Sequence, residues 1–411
     1  MKSTVLIATT SRGYSPARLA MTLTSSGCAV DAVCPPRHPI RKTRVVGRTH
    51  SYHGLIPLMS FRRAVLATRP DIIIPCDDVA TLHLHELYYR ALRSGKAGET
   101  VCALMERSLG SPASFPLVYA RTAFIEMARE EGIRVPLTEV VKHQSDLKSC
   151  ISRLGLPIVL KADGTSGGDG VRIAHNLIEA ENGLRALAAP PLLARALKRA
   201  VIDQDMTLVW PSLLRHRYMV NAQAWVAGRE ATSAVACWKG EVLASVQFEV
   251  LNKQDAGGPS TVLRRIDNAE MSAAALKMVK RLALSGLHGF DFMLEADTDS
   301  AYLIEINPRA TQVGHLTLGP GHDIPAAITA AVSGTDIRAA TKVTQNDTIV
   351  LFPQEWIRNP ESPYIRSGYH DVPWGEPEFV RDCIKRRSQP NSWYLRQKWI
   401  QAMSSVRRPR S

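Results

Sequence analysis

The sequence predicts an α/β protein: a parallel-sheet α/β domain first, then a two-lobed body rich in antiparallel strands, then a short C-terminal extension. Three observations predict it. The first 110 residues alternate apolar strand segments with helix signals, residues 157–174 read as strand, glycine-rich turn and strand, and residues 289–309 read as a hairpin ending in polar and charged side chains. At 411 residues the chain exceeds one hydrophobic core and suggests two or three domains.

Ser3 to Ala8 is an apolar strand, and Ser15-Pro16 opens a helix to about Ser25, with Ser as cap and Pro as first residue. Ala29 to Cys34 is the next strand, a helix covers about Pro57 to Ala67, and Asp71 to Pro75 is a β-run leading into Cys76-Asp77-Asp78. This βαβ periodicity predicts a parallel sheet. It carries no Gly-x-Gly-x-x-Gly, so no dinucleotide site is read. Asp77 and Asp78 lie at a strand's carboxyl end, where they can meet a cationic substrate group or cap the next helix. His83 and His85, two apart on that helix, face different sides, which argues against a zinc site.

Pro157 to Lys161 is an apolar strand ending in a lysine. A loop with Gly164, Gly167, Gly168 and Gly170 follows, then the strand Val171 to Ala174. Such a loop can turn backbone N–H groups onto phosphate oxygens, because no Cβ blocks the approach. It is not a Walker phosphate loop, since the lysine precedes the glycines and a strand follows; read alone, it is sooner a glycine-rich hairpin turn with no ligand. A helix is expected at about Pro191 to Ile202. Asn221 to Glu230 begins as a strand and breaks at Gly228, with β-rich pieces following at Ser233 to Trp238 and Val242 to Phe248. In that meander Glu230 could reach a ribose hydroxyl or stand exposed after a turn.

The hairpin holds the densest chemistry. Side chains alternate along a strand, so Leu303, Glu305 and Asn307 are expected on one face and Tyr302, Ile304 and Ile306 on the other. Glu305 and Asn307 then lie roughly 7 Å apart, a spacing at which two oxygen ligands can approach a hard cation such as Mg²⁺. The upstream strand puts Asp291, Met293 and Glu295 together and Phe290, Phe292 and Leu294 opposite. An Asp between two Phe is costly to bury unless it is paired with a cation, which can be a metal ion or a Lys or Arg from elsewhere.

These pieces, in this order, resemble the ATP-grasp superfamily, a carboxylate–amine ligase and carbamoyl-phosphate synthetase-like group, over roughly residues 115–335. The resemblance implies an α+β ATP-grasp fold with domains at 1–112, 113–335 (lobes about 113–220 and 221–335) and 336–411. It implies ATP and Mg²⁺ (or Mn²⁺) as cofactors, with small-molecule carboxylate and amine substrates joined through an acyl phosphate. Residue by residue, Arg121 matches the basic residue that touches the phosphates, and Lys161 the strand lysine that reaches them. Gly164, Gly167, Gly168 and Gly170 match the phosphate-covering loop, and Gln223, Ala224 and Val226 the adenine hinge. Glu230 matches the ribose acid, Met293 the apolar residue under the adenine, Asp291, Glu305 and Asn307 the metal ligands, and Arg309 the arginine facing the acyl phosphate. Lys161 and Arg309 are thus the expected catalytic pair. Four departures stand out: Ala120-Arg121 where many members have Asp-Lys, Gln223 where many have Glu, Asp169 in the loop, and Gly314 near a glutamate of biotin carboxylase-like members. The last argues against bicarbonate chemistry. A carbamoyl-phosphate-type reaction or a non-catalytic ATP-binding scaffold is the alternative, and the resemblance leaves room for a homodimer.

Charge is uneven: residues 1–70 hold eleven Lys or Arg against Asp31, and residues 381–411 hold nine against Asp382. No zinc-finger or RNA-binding signature accompanies them, so no specific nucleic acid is expected. The segment 392–400, with Trp393, Tyr394 and Trp399, reads as aromatics packed on the parent domain in preference to a membrane-surface helix. Seven cysteines without Cys-x-x-Cys spacing, and no signal peptide, point to a reduced cytoplasmic protein.

Overall fold

The computed structural model describes residues 2–163, 170–190, 193–198, 209–215, 218–255, 257–336, 338 and 340–388. The N-terminal domain runs β1 (Thr4–Ala8), α1 (Ser15–Ser25), β2 (Ala29–Cys34), β3 (Val46–Ser51), α2 (Pro57–Thr68), β4 (Ile72–Pro75), α3 (Asp78–Arg93) and α4 (Glu99–Leu109). Its sheet is wholly parallel, in the order β3-β2-β1-β4. β4, and β1 after Thr4, are apolar because helices cover both faces of the sheet. β3 has no such signature: Val46-Gly47-Arg48-Thr49-His50-Ser51 is a half-exposed edge strand, held partly by Arg48 on Asp31 at 3.0 Å. Because β4 lands on the far side of β1 from β2, the chain reverses between β1 and β4, which opens a crevice at their carboxyl ends.

That crevice is where the rest of the chain docks. Asp77 caps α3, accepting from the Ala80 N–H at 2.8 Å, and its carboxylate also gathers the Thr10 N–H at 2.6 Å and the Thr9 and Thr10 hydroxyls. Of the two roles open to Asp77 in the sequence, the cap is the one the fold uses. His83 and His85 go separate ways: His85 stacks on Phe115 with ring centroids 3.8 Å apart, while His83 lies near Tyr52 and Phe61.

After α5 (Arg121–Glu130) comes a small lobe built on β5 (Thr138–Val141), β6 (Ile158–Ala162), β7 (Val171–Ala174) and β8 (Val220–Ala224), antiparallel in the order β5-β8-β6-β7. Helices α6 (Asp146–Leu154) and α7 (Leu177–Ala188) cover one face, burying Ile158, Leu160, Ala162, Val220 and Ala222. The helix expected at 191–202 is described as α8 (Leu193–Lys198), followed by α9 (Val209–Leu213).

The large lobe is a seven-stranded sheet. It comprises β9 (Gly228–Trp238), β10 (Glu241–Lys253), β11 (Ser260–Arg265), β12 (Gly286–Glu295), β13 (Ala301–Asn307), β14 (Thr348–Val350) and β15 (Tyr369–His370), in the order β13-β12-β9-β10-β11-β14-β15. On one face α5 and α10 (Ala269–Arg281) bury Phe124, Met271, Met278, Phe290 and Phe292. On the other, α11 (Ile324–Ser333) and α1 share a core that joins Leu19 and Leu23 to Phe248 and Ile328. The segment after 335, expected as an extension, supplies β14 and β15 to this sheet. It continues through α12 (Gln354–Arg358) and α13 (Pro363–Ser367) to α14 (Pro377–Ser388), whose Phe379 and Cys383 enter the shared core. Strands of three and two residues leave no periodicity to read. The aromatic segment 392–400 lies outside the described residues.

The hairpin corrects one expectation. Asp291 pairs with Glu305 but Phe292 pairs with Leu303, so Ile304 is an extra residue, a β-bulge. Leu303 therefore turns into the core with Phe292 and Ile306, instead of sharing a face with Glu305 and Asn307. The bulge lets an apolar strand present two polar side chains at its end without burying them in the lobe's core.

Candidate active site

The two lobes face each other across a cleft, and strand alternation decides what lines it. On β6 and β8, Lys161 stands opposite Asn221 and Val159 opposite Gln223, on the face away from the small lobe's core. On β12 and β9, Asp291 stands opposite Thr232 and Met293 opposite Glu230. Helix α5 begins between the lobes. Arg121 donates to the Ala162 carbonyl of β6, and its Nε and terminal nitrogen lie 3.2 and 3.0 Å from Glu305 Oε2 of β13. The adjacent Thr122 hydroxyl donates to Asn221 Oδ1 at 2.7 Å, and Asn221 Nδ2 donates to Asp163 Oδ1 at 2.7 Å.

Lys161 is 7% exposed. Burial brings its pKa down to about 8, against the pull of Glu305, Asp291 and Glu230, all near enough to favour the charged form. Across the cleft, Asp291 accepts from Thr232 Oγ1 and from Asn307 Nδ2, each at 2.8 Å. Burial, and then the Glu305 carboxylate beside it, push Asp291 up to about 6. Burial acts on Glu305 in the same direction, but Arg121 and Lys161 outweigh it and hold that carboxyl below the usual range. Asn307 is oriented in turn by Arg309, which donates to its Oδ1 at 3.0 Å and lies 3.0 Å from Asp78 Oδ2. The Ala310 N–H donates to the Pro75 carbonyl and Thr81 Oγ1 to the Pro308 carbonyl, so the end of β13 is pinned to the crevice of the N-terminal domain.

Asp291, Glu305 and Asn307 bring two carboxylates and an amide together at the end of one hairpin. Among the described residues no group of three or more His, Cys, Asp or Glu could hold a metal ion. The hairpin's donors are oxygens, and a raised Asp291 beside a second carboxylate is a site short of positive charge. That set fits Mg²⁺, which takes one or two protein carboxylates and completes its shell with phosphate oxygens and water.

Most of the residues singled out in the sequence converge here: Arg121 pairs with Glu305, Asp291, Asn307 and Arg309 form a hydrogen-bonded chain, and Lys161 lies close enough to feel Glu305 and Asp291, with Glu230 and Met293 on the paired strands β9 and β12. Gln223 is buried on the cleft face, while the Ala224 N–H is already committed to the Leu137 carbonyl at 2.8 Å, leaving only its carbonyl for a ligand. Val226 lies in the link between β8 and β9. Glu230 is held by Lys253 Nζ at 2.6 Å. Gly170 closes the β6–β7 turn through its carbonyl, which accepts from the Ala162 N–H at 2.8 Å, while Gly164, Gly167 and Gly168 lie outside the described residues. Sequence reasoning missed Thr122, Asn221, Asp163 and Thr232, ordinary polar residues whose place depends on strand register, and it left Asp78 without its partner Arg309.

A parallel-sheet domain, an antiparallel small lobe and a large, mostly antiparallel sheet around a lysine, paired carboxylates and arginines match the arrangement expected of an ATP-grasp protein. The comparisons with known proteins indicate the same superfamily. Residues 120–318 match the family described as carbamoyl-phosphate synthase L chain, ATP binding domain. The carbamoyl phosphate synthase large chain of Rubrobacter xylanophilus is 22% identical over 195 residues, 47% of this chain and 17% of that protein. That of Myxococcus xanthus is 24% identical over 209 residues, 49% of this chain and again 17% of the relative. The chain thus spans about a sixth of these much longer relatives. In fold it is similar to N5-carboxyaminoimidazole synthetase from Staphylococcus aureus, with TM-score 0.56 and 16% identity over 82% of this chain and 79% of that one. It is also similar to the biotin carboxylase domain of Hydrogenobacter thermophilus 2-oxoglutarate carboxylase, a dimer in complex with MgADP, ADP and bicarbonate. There the TM-score is 0.56 and the identity 16%, over 83% and 72% of the two chains.

Proposed function

We propose that the protein is an ADP-forming, Mg²⁺-dependent ligase that joins a small carboxylate to an amine through an acyl phosphate. The observation that carries the reading is the group at the lobe junction: Arg121 joins Glu305 to the Ala162 carbonyl beside the buried Lys161, and Asp291, Asn307 and Arg309 follow in a hydrogen-bonded chain. Nucleotide lies in the cleft with its base by Gln223 and Met293, its ribose by Glu230 and its phosphates by Lys161 and Arg121. Glu305, Asp291 and Asn307 hold the metal, which neutralises phosphate charge when bound. Lys161 and Arg121 spread the charge that develops as the substrate carboxylate attacks the γ-phosphorus, a reaction governed by positioning and electrostatics. Arg309, fixed by Asp78, holds the acyl phosphate while the amine attacks its carbonyl carbon and phosphate leaves.

The seven free thiols suit a reducing compartment, and we place the enzyme in the cytoplasm. No helix among the described residues is long and apolar enough to cross a membrane. A homodimer is proposed on the likeness to the dimeric carboxylase domain. A carbamoyl-phosphate-type phosphoryl transfer is the second reading, favoured by the family match over residues 120–318.

The test is ADP release from Mg-ATP in the presence of pooled carboxylates and amines. Stimulation by a carboxylate plus an amine supports the ligase, and stimulation by bicarbonate plus an amine supports the second reading. Stable ATP binding with no stimulation by any pool leaves a nucleotide-binding scaffold.

A further inference from the structure

At the far end of the cleft from Asp163, a hydroxyl decides which way an amide faces. β5 and β8 pair with Thr138 opposite Gln223. Gln223 is 4% exposed, and its amide nitrogen lies 3.0 Å from Thr138 Oγ1. The two ends of a glutamine amide are alike in shape, so its orientation has to come from its hydrogen-bond network. The Thr138 hydroxyl has one proton, and that proton is donated to the Pro136 carbonyl at 2.9 Å. Toward Gln223 the hydroxyl can only accept. Nε2 therefore faces Thr138 and Oε1 faces away, with no hydrogen bond to it from any described residue. Gln223 stands on the same cleft face as Lys161, one strand over and two positions along, at a spacing of roughly 7 Å along the strands.

We propose that Thr138 is a positioning residue for base selection: by holding Gln223 as an acceptor, it makes the nucleotide site take a 6-aminopurine and refuse a 6-oxopurine. This rests on the ATP reading above. An exocyclic amine donates to Oε1, whereas a 6-carbonyl meets it lone pair to lone pair. Without the Thr138 hydroxyl nothing opposes a half-turn of the amide, which then offers Nε2 to a carbonyl, and both bases are accepted.

The experiment compares ATP with ITP, whose base carries a 6-carbonyl and an N1 proton where adenine has an amine and a bare nitrogen. Binding to the full chain is measured by calorimetry for the wild type, Thr138→Val, Thr138→Ser and the double variant Thr138→Val with Gln223→Glu. The ATP-over-ITP preference should fall about tenfold in Thr138→Val, the scale of one exchanged hydrogen bond, and be kept in Thr138→Ser. It should return in the double variant, because a carboxylate has no donor to turn. A purely structural role for Thr138 would weaken both nucleotides alike and leave their ratio in place. An unchanged ratio in Thr138→Val, or a lowered one that Gln223→Glu does not restore, overturns the proposal. A wild type that binds neither nucleotide overturns the ATP reading itself, and this role with it.

Discussion

Arg121 and Glu305 form an ion pair between the lobes, with two guanidinium nitrogens 3.2 and 3.0 Å from one carboxylate oxygen. The same guanidinium donates to the Ala162 carbonyl, next to Lys161. One side chain at the start of α5 therefore neutralises a carboxylate of the large lobe and anchors the lysine strand of the small one. Metal and phosphate arriving in this cleft would compete with Arg121 for Glu305 and offer Arg121 an anion in exchange.

Glu305→Gln should lower ADP formation by about 10²–10³, the usual loss when one charge-stabilising element leaves an active site. Cooperative thermal melting should persist. Near wild-type turnover in this variant would remove Glu305 from the metal set.

Lys161 ties activity to pH. Its folded pKa of about 8 lies below the ordinary 10.5, so between those values the unfolded chain binds a proton that the folded one does not. The stability of nucleotide-free protein should rise with pH across that window, the full cost of the buried charge being present below it. Phosphates beside Lys161 would restore its proton, so ATP binding near pH 9 should take up about one proton and weaken up to about tenfold per pH unit above 8. Calorimetry in buffers of different ionisation enthalpy measures this, and Lys161→Met should abolish the uptake. Proton-neutral binding by the wild type would separate Lys161 from the phosphates.

Asp371, just after β15, accepts from Arg18 of α1 and lies 2.6 Å from His315 Nε2, all three side chains nearly buried. Burial raises its carboxyl, but His315 and Arg18 outweigh that and hold it below the usual value. Its contribution is therefore present above the unfolded carboxylate value of about 4 and lost as pH falls through the lower folded value. Asp371→Asn strands the Arg18 charge and should cost about 3–5 kcal/mol at pH 7, with a flatter acid limb in melting temperature against pH. Adding Arg18→Met should recover part of the loss. Equal melting of Asp371→Asn and wild type would show that the clamp contributes nothing.

A Cβ on Gly289 would come 2.3 Å from Thr311 Cγ2 and 3.5 Å from Asn307 Cβ. Gly289→Ala should therefore destabilise by about 1–3 kcal/mol, as overpacking does, and disturb Asn307. Thr311→Ser removes the opposing methyl and should restore most of the stability in the double variant. Chemical denaturation of the single and double variants checks this, and additive losses would show that the two positions do not touch.

The elements with strong local signals were legible in the chain. β1, β2 and β4 are mostly apolar runs, broken only by Thr4 and Asp31, α1 and α2 begin with Pro at their first turns, and the Asp291–Arg309 hairpin carries its own turn. The half-exposed edge strand β3 and the two-residue β15 were not, because neither buries enough side chain to leave a pattern. In the site, Lys161, Asp291, Glu305, Asn307 and Arg309 stood out because an ionisable or polar group within an apolar strand or at its end is costly unless something binds it.

By itself the sequence determined which residues carry charge at strand ends and which strands are adjacent hairpins, since both follow from side-chain chemistry within a few positions. Only the tertiary structure decided that Ile304 bulges and sends Leu303 into the core, that Asp77 caps α3 while Asp78 meets Arg309, and that Arg121 reaches Glu305, 184 positions away. The reason is register: slipping a strand by one residue exchanges its two faces, and the register is set by packing against partners that no local window contains.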